Sequence, residues 1–494
     1  MTVTPLITAA EGFPALERLI LGARDTLLLS FRVLDPDTRL RSAEAREKGL
    51  QDWGDLIADA GARGVALQIL VTDFDAIFTR DLHRQSWQNA TRFAAQAAGR
   101  TQILCAPHGQ RAGPLWAVLM RRKVGQALRA IRRADGSTLT PVERAILKAG
   151  PILRPATLHQ KFAIADGVRS IIGGLDVDER RYDTPGHDCA SDETWHDVSL
   201  AIDDADFAAV LAAHFTECWN DALECGAPDL DTGATPLTVT APPPLPDDLS
   251  LLRTRSIQCA GVARLSPRHH LTEHADVLPR LIAEARDSLY IETQFLRDAG
   301  IAEALAKAGR DNEALNLVIV LPAAAERVLF DGDHGWDARH AHGLQMRAIE
   351  RLRAAYGDRL AVMTTVQPRP ANTDEPEVQG APPVYVHAKV MLVDDAVTVV
   401  GSANLNGRSL YWDTEASAVV RDTGLTTTLR DRLAGIWLRD AAMPGPARAA
   451  HWNAVAQADA KRDPDARKAL VLPFPRERGH RFSWRMIGLP DAMF

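Results

Sequence analysis

The chain has 494 residues, 46% hydrophobic and 24% charged, with a formal net charge of −7 from 57 Lys and Arg against 64 Asp and Glu. That length exceeds one ordinary core and predicts two domains, and the composition excludes disordered and fibrous classes. There is no basic excess of the kind a dedicated nucleic-acid binder uses to neutralise phosphates, and no run of about eighteen apolar residues that would span a membrane.

The start, MTVTPLITAAEGFPALERL, lacks the basic and apolar regions of a secretory signal, and five cysteines without zinc-type clustering fit a reducing compartment, so a cytoplasmic location is expected. LERLILGARDTLLLS at 16–30 reads as a helix, then Ala-Arg-Asp, then a strand; GVALQILVTD at 64–73 reads as the next buried strand. Residues 108–150 contain MRRKVGQALRAIRR, a basic amphipathic helix that is either solvated or rests on anionic headgroups. LHQKFAIADGVRSIIGGLDVDERR follows at 158–181, and TWHDVSLAI shortly after it.

The Pro-rich segment 227–250 predicts an extended connector. Beyond it the pattern returns: LPRLIAEARDSLYIE at 278–292, ALNLVIVLPA at 314–323 and VYVHAKVMLVDDAVTVVGSANLNGRSL at 384–410. His159, Lys161, Asp166, Gly173 and Arg180 each fall 228 positions before His387, Lys389, Asp394, Gly401 and Arg408. This is an internal repeat. The Ala-Arg-Asp triplets are 262 apart, so the first copy carries 34 extra residues, assigned to an insertion near 108–150. The expected fold is α/β: two similar halves, each a mixed sheet flanked by helices, related by a pseudo-twofold with the active site at their interface. The halves are placed at 1–226 and 251–494. A His and Asp cluster in DGDHGWDARHAHGL, 331–344, matches no specific ligand spacing and reads as a loop beside the cleft. The tail from 464 is expected to pack on the second half, and Cys218 and Cys225 are expected to remain thiols.

In an extended strand residues i and i+2 share a face, so each His-Lys pair projects to one side, here expected to be an exposed one. Two such pairs meeting in one cleft suit a phosphodiester. Lys161, Lys389, Ser402 and Asn404 can cradle its growing negative charge while one His attacks phosphorus and the other protonates the leaving alkoxide; water or another alcohol then resolves the intermediate. A carboxylate on the far ring nitrogen fixes each imidazole, and Asp197 and Glu415 stand at matched places, expected to serve His159 and His387 respectively. Asp166 and Asp394 fall where the strands turn and are assigned mainly to that turn, with a lesser catalytic role. Gly174 is placed on the substrate side with Ser402 and Asn404. Trp195 and Tyr385 flank the site, as pocket walls or strand packing.

The paired H-x-K-x-x-x-x-D motifs with their Gly-rich followers resemble the phospholipase D superfamily. GGLD, WHDVSLAI, YIETQFL, FDGD and GSANLNGRSL resemble its eukaryotic-type branch, as a bare catalytic core without accessory lipid-targeting domains. The resemblance implies a phosphodiesterase or phosphatidyltransferase acting on the headgroup ester of glycerophospholipids at a membrane surface. It further implies a covalent phosphohistidine, with water or an alcohol as acceptor and neither cofactor nor metal. It favours His159 as nucleophile and His387 as acid. A monomer is expected, without nucleic acid as partner. Rival readings are cardiolipin synthesis, a nuclease, and a non-catalytic phosphate-binding scaffold. Asp176 stands where the second copy has Asn404, so only Asn404 is carried over as a phosphate-side donor.

Overall fold

The computed structural model describes the chain apart from Asp229, residues 258–266 and 487–489, and the side chain of Ala117. A first sheet has the order β1-β7-β6-β5-β2-β3-β4, from β1 (Thr2–Ile7), β2 (Thr26–Phe31), β3 (Ala66–Asp73), β4 (Arg100–Pro107), β5 (Phe162–Ala165), β6 (Arg169–Gly173) and β7 (Val198–Asp203). A second comprises β8 (Leu249–Ile257), β9 (Arg268–Thr272), β10 (Ser288–Glu292), β11 (Asn316–Val320), β12 (Leu360–Thr365), β13 (Val390–Val393), β14 (Val397–Gly401), β15 (Glu415–Val420) and β16 (Val471–Pro473). Its order is β16-β12-β11-β10-β13-β14-β15-β8-β9. Removing β16 and β9 from its edges leaves the order of the first sheet, strand for strand. Three strands are parallel in each (β2, β3, β4; β10, β11, β12), and the rest run antiparallel.

These strands are apolar on both faces, as strands covered on both sides must be. In β5, Phe162 and Ile164 face one core while Ala163 and Ala165 face another; in β13, Val390 and Leu392 alternate with Met391 and Val393 in the same way. The first core of each pair is shared. It joins both sheets and is closed by helices Ala205–Glu224 and Thr423–Leu438 through Leu211, Trp219, Leu433 and Trp437. The outer face of the first sheet is covered by helices Thr8–Leu21, Trp53–Ala62 and Arg80–Gln96, that of the second by Glu273–Glu284, Ala299–Asp311 and Trp336–Tyr356. The predicted insertion folds as helices Pro114–Leu119, Arg121–Arg133 and Pro141–Ala149 around a small core of Trp116, Val124, Ile131 and Ile146. The tail adds β16 and lays helix Arg476–Phe482 against Trp336–Tyr356; part of it, 487–489, lies outside the described residues. Cys218 and Cys225 are free thiols.

The repeated aspartates explain why two separate motifs repeat together. Asp166 and Asp394 take positive φ, +54° and +50°, which aspartate tolerates, in the turns between β5 and β6 and between β13 and β14. The amides of Arg24, Asp25 and Thr26 donate to Asp166 at 2.8–3.1 Å. Those of Arg286, Asp287 and Ser288 donate to Asp394 at 2.8–2.9 Å. Each motif acid thus ties the Ala-Arg-Asp turn of its own half to the start of a central strand. Three amide donors spend each carboxylate at the turn, so the lesser catalytic role expected for this pair has no geometric support. Asp394→Ala is expected to cost about 2–3 kcal/mol in urea unfolding, three charge-assisted bonds being lost at a partly wet site, with turnover per folded molecule preserved. Lost turnover at unchanged stability would return the carboxylate to the chemistry.

Candidate active site

His159 and Lys161, like His387 and Lys389, sit in extended segments that lead into β5 and β13; regular strand begins one residue after each lysine. These lead-in segments pair across the halves. The amide of His159 donates to the Thr414 carbonyl at 2.8 Å and that of Thr414 to the Thr157 carbonyl at 2.9 Å. On the other side, His387 and Ala388 both donate to the His196 carbonyl, at 2.8 and 3.0 Å, and His196 donates to Tyr385. Each histidine motif is therefore stitched to the strand start of the opposite half.

That stitching decides which acid meets which ring, and it reverses the expected assignment. His159 Nδ1 lies 3.0 Å from Glu415 Oε2, and His387 Nδ1 lies 2.7 Å from Asp197 Oδ2. The acids are crossed because Glu415 follows Thr414, the backbone partner of His159, while Asp197 follows His196, the partner of His387. The rings are also not on an exposed face. The side chain of His159 is 12% exposed and that of His387 3%, with centroids 6.5 Å apart at the bottom of a cavity of about 530 Å³. Among the described residues no protein group takes Nε2 of either ring, so both nitrogens are left for a ligand.

Beneath the rings are two buried ammonium groups. Lys161 Nζ donates to the His159 carbonyl at 2.5 Å, and Lys389 Nζ to the His387 carbonyl. Burial pulls Lys161 below its ordinary value and pushes Lys389 down to about 7. It also raises Asp197 and pushes Glu415 up to about 8. Both histidines are held well below the usual imidazole value, first by burial and then by the neighbouring cations, Lys161 for His159 and Lys389 for His387.

The glycines after each motif make room for the facing strand that carries the acids. Gly173 is opposite Ser199 in β6–β7 and Gly401 opposite Ser417 in β14–β15; a Cβ at either would overlap the facing strand. Asp197 and Glu415 lie two residues before those serines, on the same strand face. Gly174 has no place on the cavity wall: a Cβ there would overlap the Asp197 carboxylate, so the glycine serves that acid and not the substrate. Ser402 is likewise engaged, its hydroxyl donating to Glu415 Oε2 at 2.5 Å. Asn404 does line the cavity, with Nδ2 3.3 Å from Gln294 Oε1.

Sequence reasoning missed several residues here. Arg32 and Arg297 line the cavity, each with a buried Nε lacking a hydrogen-bond partner and no carboxylate partner among the described residues. Burial lowers both, Arg297 to about 9. Arg32 and Gln294 are separated by the 262 of the Ala-Arg-Asp repeat, and Asp176 and Asn404 by the 228 of the motif repeat. The first half therefore holds Arg32 near Asp176 where the second holds Gln294 beside Asn404; Asp176 Oδ1 accepts from the Val33 amide at 2.9 Å and its Oδ2 has no partner. These repeat offsets were the signal that could have found Arg32. Trp195 lines the cavity, its ring 4.6 Å from that of His387, with the Arg181 guanidinium carbon 3.4 Å from the Trp195 ring centroid; Tyr385 is buried against it. Behind His387, Glu292 accepts from His196 Nε2 at 2.9 Å and from Tyr290 and Trp437 at 2.6 Å, fixing the residue whose carbonyl holds the His387 backbone. Segment 331–344 contributes Trp336, Asp337 and Ala341 to the cavity from the start of a helix, and among the described residues no three His, Cys, Asp or Glu side chains converge as metal ligands.

A family model described as cardiolipin synthase, PLD-like domain, matches residues 278–437. Phospholipase D1 of Schizosaccharomyces pombe is 26% identical over 54% of this chain and 25% of its own length; that of Homo sapiens is 25% identical over 51% and 25%. Over these segments the chain is similar to the phospholipase D superfamily. It spans about a quarter of these curated relatives, and phospholipase D zeta 1 of Arabidopsis thaliana is 46% identical over 10% of this chain and 5% of its own. The crystal structure of phosphatidylserine synthase from Haemophilus influenzae Rd KW20 shares this fold, with a TM-score of 0.52 and 14% identity over 87% of this chain and 84% of that one. No helix among the described residues is long and apolar enough to cross a membrane.

The crossed pairing is testable by residue. Glu415→Gln is expected to shift the titration of His159 in histidine-labelled NMR spectra while leaving His387 in place, and to lower kcat on a soluble phosphodiester by about 10³-fold. A shift at His387 alone would restore the uncrossed assignment.

Proposed function

We propose that this protein is a phospholipase D-type phosphodiesterase and phosphatidyltransferase that opens the headgroup phosphodiester of a glycerophospholipid through a covalent phosphohistidine. The observation that carries the proposal is the pair of imidazoles, each fixed at Nδ1 by a carboxylate and 6.5 Å apart over two buried ammonium groups. One phosphorus fits between them. In the proposed sequence, His159 Nε2 attacks phosphorus, the P–N bond forms and the P–O bond to the headgroup breaks. His387 Nε2–H gives its proton to the departing alkoxide. Water or an alcohol then loses its proton to the now neutral His387 and attacks phosphorus, breaking the P–N bond and restoring His159. Lys161, Lys389 and Asn404 face the charge that grows on the nonbridging oxygens.

The electrostatics support the order of events. Burial and nearby cations keep His159 neutral, as a nucleophile requires. An incoming phosphodiester brings a negative charge that opposes those cations and favours the protonated His387 the acid step needs. Arg32 and Arg297 add cationic surface that suits an anionic ester. Transfer to the alcohol of a second lipid is the second reading, favoured by the match to the cardiolipin synthase PLD-like model.

Incubation with choline, ethanolamine and glycerol phospholipids plus a primary alcohol, with products resolved by mass spectrometry, tests the activity and divides hydrolysis from transfer. Trapping with a slow phosphodiester is expected to label the peptide containing His159, and His159→Ala and His387→Ala are each expected to abolish turnover. Label confined to the His387 peptide would invert the roles. With pH, kcat/KM on a soluble diester is expected to fall as pH rises through about 7, because the buried Lys389 is an ammonium below that value and neutral above it. A profile flat into alkaline pH would remove Lys389 from charge stabilisation.

A further inference from the structure

The basic insertion is not used by the chemistry above, yet it stands at the cavity mouth. Trp116, Met120 and Lys123 line the cavity from helices Pro114–Leu119 and Arg121–Arg133 and the residue between them. The opposite face of the short helix is apolar and exposed: Leu115 40%, Val118 56% and Leu119 57%, positions i, i+3 and i+4 that share one side. Phe78 and Leu82 line the same cavity from the neighbouring segment and are exposed, with Lys123 Nζ 6.0 Å from the Phe78 ring centroid. Trp336 does so from the second half. Of the thirteen large apolar side chains exposed among the described residues, three thus line this cavity and three more stand on the short helix whose Trp116 lines it. Such clustering marks an interaction surface, whereas scattered exposed apolar residues do not.

The charge that the basic helix and its flanks bring to this rim has one sign. Residues 108–134 contain six Arg and one Lys with no Asp or Glu, in a chain whose net charge is −7, so the remaining residues sum to −14. None of the seven forms an ion pair among the described residues, and all seven, Arg111, Arg121, Arg122, Lys123, Arg129, Arg132 and Arg133, are exposed. An apolar ridge flanked by cations that form no ion pair among the described residues is complementary to an anionic bilayer, where the side chains enter the acyl boundary and the cations meet phosphates.

We propose that the rim formed by Leu115, Val118, Leu119, Phe78, Leu82 and Trp336, with the basic helix Arg121–Arg133, docks the cavity mouth onto anionic phospholipid surfaces. The inference rests on the reading of a phospholipid substrate: a docked mouth lets a headgroup ester reach the histidines while its acyl chains stay in the membrane.

The test is co-sedimentation with sucrose-loaded vesicles of phosphatidylcholine alone or mixed in equal parts with phosphatidylglycerol, beside hydrolysis of dissolved bis(4-nitrophenyl) phosphate. The protein is expected to sediment with the mixed vesicles and far less with phosphatidylcholine. Arg121→Glu with Arg122→Glu and Arg129→Glu is expected to lower partitioning by roughly 100-fold, since each basic residue near an anionic surface contributes roughly fivefold. Val118→Asp with Leu119→Asp is expected to weaken binding even at low salt. Both variants change exposed positions, so hydrolysis of the dissolved diester is expected to stay at the wild-type rate. Wild-type protein that ignores anionic vesicles, or variants that bind as wild type does, overturns the docking surface while the diester assay still reads the chemistry. Wild-type self-association in light scattering that the Asp variant abolishes would overturn it in favour of contact between copies of the chain.

Discussion

Everything in the cleft depends on a few backbone hydrogen bonds that cross between the halves. The amide of His159 on Thr414, and the amides of His387 and Ala388 on His196, set the two lead-in segments side by side. Once they are set, Glu415 and Asp197 have only one ring each within reach. A backbone bond is indifferent to side-chain identity, so this arrangement fixes the partners by register and leaves the side chains free for chemistry. Its burial also makes it strict: an unpaired buried amide costs about as much as a lost hydrogen bond, so a slipped register would be penalised at several sites together.

The same burial explains the electrostatics. Two lysines, two carboxylates and two imidazoles share a space with little water, where each charge is costly unless opposed. The carboxylates are raised, the lysines lowered and the imidazoles kept neutral, all first through desolvation. The outcome is a set of opposed charges closely packed before a substrate arrives, with Arg32 and Arg297 lacking carboxylate partners among the described residues.

Much of this was legible in the sequence because repeats carry spatial information. Matching offsets at His, Lys, Asp and Gly announced two equivalent segments, and the mixed sheets with parallel β2-β3-β4 and β10-β11-β12 follow from apolar runs alternating with helical patterns. The exchange of acids was not legible. Nothing local to TWHDVSLAI tells whether Asp197 turns toward its own motif or the other, because that depends on bridges between residues about 190 to 256 positions apart. Arg297 was missed for a different reason: Asp35 occupies its equivalent place, so the repeat itself hides it. Gly174 was misread since a glycine beside a site looks the same from sequence whether it admits a ligand or a neighbouring carboxylate.

The twofold geometry of the cleft conceals an uneven field. Around the first motif stand a guanidinium and a carboxylate, Arg32 and Asp176; around the second, two neutral amides, Gln294 and Asn404, with the Arg297 guanidinium beyond them on the same cavity wall. A phosphodiester has two ester oxygens, and a cleft symmetric in charge as well as shape would have no reason to prefer breaking one over the other. A diester bound as proposed would meet different polar groups on its two sides, so its two orientations would differ in energy before any bond is made. In the proposed reaction, cleavage direction is then a property of the scaffold: two copies supply the matched tools, and the positions at which they diverge give the reaction a sense.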